Sequence, residues 1–417
     1  MKDLTTLFFH QKNIWSNILL LFVFMLPLSL AISNLLYGLM IILWLIDLFC
    51  KKIVLKKKDI LNILLFSSFY IISIFSLLYS TNIEYGLKKV LSHTFFLMFP
   101  IVLFTKKNLI TKRFVIKLIE VFTISLILIS VVSILTQLYK YLLLKGDFND
   151  FFLENKLSTS VNGYYFLGFS LFISFAIIST TYIKLFKEEL LSIWFAKTYY
   201  FYVPFLSITL ILLNSRSLIT ITTLLFCLIF ITKSLKEKKY KKIYFSIFIL
   251  VSIFILNYKY NQAFNEKIKE AINYNNEYSI DKKWGGRAMR LLIWDCTLKV
   301  VNKNPLIGVG TGDQQDELTL CYKIYMKNQL LYKGVTFNAH NIFLQILLST
   351  GIFGLFFFTC SILYSFFIAY KRHNIIYILF LVIFILSGLT ESFFERNFCV
   401  AFFTFFNSIL FLYKRLE

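Results

Sequence analysis

The chain is 417 residues long, 58% hydrophobic and 16% charged, with a formal net charge of +22. A soluble domain carries about a quarter charged residues, and here the apolar residues fall in blocks of about 15 to 25, the length that crosses a bilayer core of about 30 Å, so a soluble globular fold is excluded. The positive charge sits in the short links between blocks, KKIVLKKK (51–58), TKKNLITKR (105–113), KSLKEKKYKK (233–242), YKRHN (370–374) and YKRLE (413–417), a cytoplasmic-face pattern that argues against nucleic acid as a partner.

Backbone polar groups find no water in the hydrocarbon layer, so the apolar blocks must be helices. Residues 14–50 would reach about 55 Å as one helix, and Pro27 with the Ser33–Asn34 pair marks the turn of a two-helix hairpin. The N-terminal block is too long, and lacks the small-residue site, for a cleaved signal peptide. Further helices are expected at 60–79, 87–104, 115–138, 163–183, 199–213, 217–232 and 243–257, with an outer loop at 140–161. The longest polar segment, 258–339, precedes helices at 341–369, 375–389 and 398–413. The expected fold is an all-α polytopic membrane protein of about twelve spans. It divides into helices one to nine (1–257), a long outer loop with short amphipathic helices (258–339) and the last three helices (340–417).

With both termini inside, every strongly basic link falls on the cytoplasmic side, and the unusual polar groups collect on the outer one. Arg216 in NSRS (214–217) stands at the start of a helix, where N–H groups and the dipole favour an anion, although a snorkelling anchor would look the same. The segment 285–313 begins as an amphipathic helix bearing Arg287 and Arg290, which could lie flat on the membrane, and GVGTGD (308–313) reads as a tight turn. Asp313, Asp316 and Glu317 read as solvated acids, so no metal site is expected. Cys296 and Cys321 share the long loop, and their pairing is left open. His340, at the mouth of an apolar helix, is placed to accept a proton, with a structural histidine as the alternative. Gly351 and Gly354 would let another helix approach that helix closely. Glu391 and Arg396 lie in the last outer link.

HN (340–341), nine residues and then GIFG (351–354) resemble the signature of the O-antigen ligases. Arg290 four residues before Trp294, NPLIGVGTGD (304–313), NSRS and ERNFCVAFFTFFNSIL (395–410) resemble the core and the ending of the broader O-antigen ligase and polymerase family, over about 200–410. The resemblance implies a GT-C-like helical fold and metal-independent glycosyl transfer on the periplasmic face of the bacterial inner membrane. It implies a glycan on undecaprenyl diphosphate as donor, and no cofactor. Arg216 and Arg290 would hold the diphosphate and His340 would activate the acceptor hydroxyl. Asn341 and Arg287 join them as substrate-binding candidates, Arg287 without a counterpart in the family's pattern. The expected activity is a ligase that moves polysaccharide onto a lipid A-core sugar. The alternatives are a polymerase of lipid-linked repeats and, in another class, a lipid-glycan flippase or permease, which would line the mid-membrane with ionisable residues.

Overall fold

The computed structural model describes residues 2–50, 55–144, 157, 166–238, 286–325 and 337–413, with backbone alone at 2–13, 286–288 and 325. Among them no strand occurs, and the chain is an all-helical, polytopic membrane protein. The helices are α1 (Lys2–Met25), α2 (Leu30–Phe49), α3 (Lys57–Phe75), α4 (Ile83–Ser92), α5 (Phe95–Thr105), α6 (Lys112–Leu143), α7 (Phe166–Phe186), α8 (Ile193–Leu212) and α9 (Arg216–Lys236). They continue with α10 (Gly286–Val301), α11 (Gln314–Tyr325), α12 (Ile342–Lys371), α13 (Ile375–Gly388) and α14 (Asn397–Leu412).

Among the described residues eight helical segments are long and apolar enough to cross a bilayer, with α4 and α5 forming one of them, and Ile14–Met25, Ile375–Gly388 and Asn397–Leu412 are shorter apolar helices. Each coincides with an expected span. The expected helix at 243–257 lies outside the described residues. The first hairpin turns at Pro27, and Ser29 caps α2 by accepting from the Ile32 amide, so Ser33 and Asn34 lie inside that helix rather than in the turn.

Lipid gives helices no hydrophobic reason to associate, so contact quality decides the packing. The centre is aromatic. Helices α7 and α14 are buried along almost their whole length, and Phe402 packs on Phe172 with ring centroids 4.6 Å apart while Phe403 stacks on Phe384 at 4.2 Å. Hydroxyls within these helices turn back onto their own backbone: Ser174 donates to the Ser170 carbonyl at 2.8 Å.

Helix α12 is broken. Gly351 adopts φ +64° and ψ −165°. In a straight helix Phe343 and Phe358 would stand about 22 Å apart along the axis, yet their ring centroids are 6.2 Å apart. The chain bends sharply at the glycine. Residues 305–310 fill the gap: Val309 and Gly310 amides donate to the Leu348 and Ser349 carbonyls at 2.9 and 3.0 Å, and the Ile352 amide donates to the Pro305 carbonyl at 2.9 Å. A side chain at Gly351 would collide with the Leu306 carbonyl and the Gly308 amide. The expected close approach is thus made by a loop, not by another helix. Gly354 faces Thr350 of its own helix.

Helices α10 and α11 form a small second core with the start of α12. The apolar face of α10, with Leu292, Ile293 and Val300, is buried against α11 and α12, so that helix does not offer this face to lipid. A disulfide between Cys296 and Cys321 ties α10 to α11, with Cα atoms 5.8 Å apart. GVGTGD is indeed a tight turn, with Gly308 and Gly310 at φ +72° and +94°. Asp313 anchors it, accepting from the Thr81 and Asn82 amides at 2.8 and 2.7 Å.

Candidate active site

Two links meet at one end of the bundle. The first, 337–341, leads into α12. Its Asn338 side chain accepts from the His340 amide at 3.0 Å, and His340 takes a left-handed φ of +44°. Asn341 then caps the helix, its Oδ1 accepting from the Phe343 and Leu344 amides at 2.9 and 3.1 Å. The second link, 389–396, joins α13 to α14. Asn341 binds it twice: its amide donates to Ser392 Oγ at 3.0 Å and its Nδ2 to the Leu389 carbonyl at 3.1 Å. The second link is fastened on its far side as well. His93 Nε2 donates to the Phe394 carbonyl at 2.9 Å, and Lys89 pairs with Glu395.

Between the links lies Glu391, 7% exposed. Its Oε1 accepts from Arg290 Nη2 at 2.8 Å, and its Oε2 lies 3.1 Å from His340 Nδ1. An ionised carboxylate can only accept, so Nδ1 carries the proton and the lone pair of Nε2 is left to take another. Arg290 and His340 are 37% and 22% exposed, so both are more open to the surface than the buried carboxylate between them. The arrangement is a buried acid that holds a guanidinium and an imidazole side by side. The first can bind an anion and the second can remove a proton from a hydroxyl.

The structure brings Arg290 and His340 together. Asn341 stands beside them with its side chain engaged in the cap and the link. Arg216 opens α9, which packs against α7 and against α13, the helix that ends just before Glu391. Before it, Asn214 turns left-handed at φ +53°, and the Asn214 side-chain amide and Ser215 hydroxyl are buried without hydrogen-bond partners. Arg287 is helical in α10, and its side chain lies outside those described. The acids of the loop are engaged elsewhere: Asp313 and Asp316 bind the link at 81–82, and Glu317 pairs with Lys303 at 2.8 Å. Among the described residues no three metal-ligating side chains cluster.

Glu391, which the sequence marks as a polar group of the last link, is not among the expected site residues. The available signal was its chemistry: an acid in a short outer link between two strongly apolar helices, in a chain with twice as many basic as acidic residues, 44 against 22.

Residues 201–359 match the family model described as O-Antigen ligase, which supports the O-antigen ligase family for this chain. The matched stretch contains Arg216, Arg287, Arg290, His340 and Asn341, and Glu391 lies beyond it. None of the curated proteins compared with the sequence matches it.

Proposed function

We propose that this protein is an O-antigen ligase-type glycosyltransferase that moves polysaccharide from undecaprenyl diphosphate to a lipid A-core sugar at the periplasmic face of the bacterial inner membrane. The observation that carries this reading is the Arg290–Glu391–His340 row. In the reaction His340 Nε2 takes the proton of the acceptor hydroxyl while Glu391 holds the Nδ1 hydrogen. The hydroxyl oxygen bonds to the anomeric carbon as the bond from that carbon to the phosphate oxygen breaks. The departing diphosphate gains negative charge, which Arg290 and Arg216 offset. Guanidinium groups supply the positive charge that a metal ion would otherwise bring, so the transfer is metal-independent and needs no cofactor.

The transport reading finds little support. Among the described acids and lysines within the helices, Asp47 pairs with Lys106 near a helix end and Glu120 accepts from the Ser192 amide at 2.7 Å. These are fastenings between helix ends, not a path through the membrane.

Deletion of the gene, read on a gel of extracted lipopolysaccharide, tests the proposal. A ligase leaves core with no added glycan while finished polymer accumulates on undecaprenyl diphosphate. A ladder reduced to core plus one repeat identifies a polymerase instead, and an unchanged ladder rejects both.

A further inference from the structure

We infer that Gln345 is a positioning residue for His340, acting through the backbone of Ala339, whose N–H it binds while Trp294 binds the carbonyl. The inference rests on the proposed role of His340 as the base. A left-handed φ at a residue with a side chain persists only where its surroundings hold it, and His340 has φ +44°. The residue before it, Ala339, is fully buried. Its amide donates to Gln345 Oε1 at 2.7 Å, and its carbonyl accepts from Trp294 Nε1 at 3.1 Å.

The polarity of this chain of bonds is fixed. A backbone N–H can only donate, so the Gln345 oxygen faces Ala339 and its amide nitrogen faces away. That nitrogen donates to Gln314 Oε1 at 3.0 Å. Gln345 and Gln314 are 6% and 2% exposed. They border a cavity of about 10 Å³, shared with Ser73, His93, Thr311 and Ser349. Both ends of the buried Gln345 amide are bonded to protein groups, so Gln345 serves the reaction through the backbone and not through substrate. Trp294 stands on α10 and Gln314 on α11, the two helices joined by the Cys296–Cys321 disulfide. Trp294, which holds the Ala339 carbonyl, and Gln314, which braces Gln345 from α11, therefore belong to one stapled unit, which also carries Arg290.

The test uses the full-length protein in proteoliposomes with lipid-linked glycan donor and lipid A-core acceptor. Gln345→Leu removes both bonds at similar volume. Gln345→Glu keeps an acceptor for Ala339, and the Gln314 amide can rotate to donate to its second oxygen. Per folded molecule, Gln345→Leu is expected to lower kcat by about 10–100-fold through misplacement of the base, with KM for the donor unchanged and with Gln345→Glu restoring most of the rate. Unchanged kcat in Gln345→Leu overturns the inference, as does a glutamate no better than leucine or a change confined to KM. Should Gln345→Leu fail to accumulate, Trp294→Phe, which removes only the donor to the Ala339 carbonyl, must show the same fall in kcat at unchanged KM, and full activity there overturns the inference. His340→Ala is run in parallel. Full activity in that variant rejects the base itself, whereas an inactive His340→Ala beside a fully active Gln345→Leu rejects the positioning role alone.

Discussion

Glu391 meets His340 through one carboxylate oxygen and Arg290 through the other, at 3.1 and 2.8 Å. An amide in its place can accept from only one of the two and presents a donor to the other. Glu391→Gln is therefore expected to lower transfer by about 10²-fold or more, within the range of a misdirected general base. In vitro transfer against membrane abundance checks this, and near-normal transfer would reduce Glu391 to a fastener of the 389–396 link.

Removing the base itself gives the sharper loss. His340→Ala leaves the Asn341 cap in place, so insertion and folding should survive. Transfer should fall by about 10²–10⁴-fold. A variant that still builds a full ladder would return His340 to a structural role.

Lysine keeps the charge of arginine and loses its planar fork. Arg216→Lys and Arg290→Lys should both be strongly impaired in donor use, and EDTA should leave the wild type active. Full activity with lysine would mean that the arginines act only as anchors, and activity lost in EDTA but restored by a divalent ion would reject the metal-independent reaction.

Two glycines make a paired test of the bend in α12. At Gly351 a side chain meets the backbone of 306–308, and its φ/ψ region, essentially reserved for glycine, alone costs about 1–3 kcal/mol for other residues. At Gly38, inside α2, an added Cβ meets nothing within 4 Å, and alanine favours a helix by about 1 kcal/mol. Gly351→Ala should lower the melting temperature in detergent by several degrees, and Gly38→Ala should not lower it. Equal behaviour of the two would contradict the loop insertion.

Sidedness can be read by labelling. With the free cysteines replaced, a cysteine at Asp295, on the outward side of α10, should react with a membrane-impermeant maleimide in spheroplasts, and one at Lys371 should not. The reverse pattern would invert the proposed topology.

Hydropathy made the spans legible because bilayer thickness sets their length. Charge gave the spans an expected direction, which the labelling tests; the ion pairs Lys106–Asp47 and Lys107–Asp59 gather at one end of the bundle while Asp313, Glu391 and Lys89–Glu395 gather at the other. His340 and Arg290 stood out as polar groups beside apolar runs. What escaped was pairing over long sequence separation. Glu391 is 51 residues from His340 and 101 from Arg290, and no local pattern links them. Gly351 showed as a small residue, and smallness permits either a neighbouring helix or a broken one. Only the backbone partners at 305–310 decide between the two.

The bend at Gly351 also sets a depth. As one straight rod the 30 residues of α12 would measure about 45 Å, about 15 Å more than the hydrocarbon layer. Its leading residues would then stand clear of the lipid headgroups, out in water. The bend takes back that excess height and lowers the entrance of the helix, with His340 just ahead of it. A phosphate anchored by a lipid tail lies in that same shallow zone. Under the proposed transfer such a donor reacts without being drawn out of the bilayer, and the journey falls to the acceptor, which must come down to meet it.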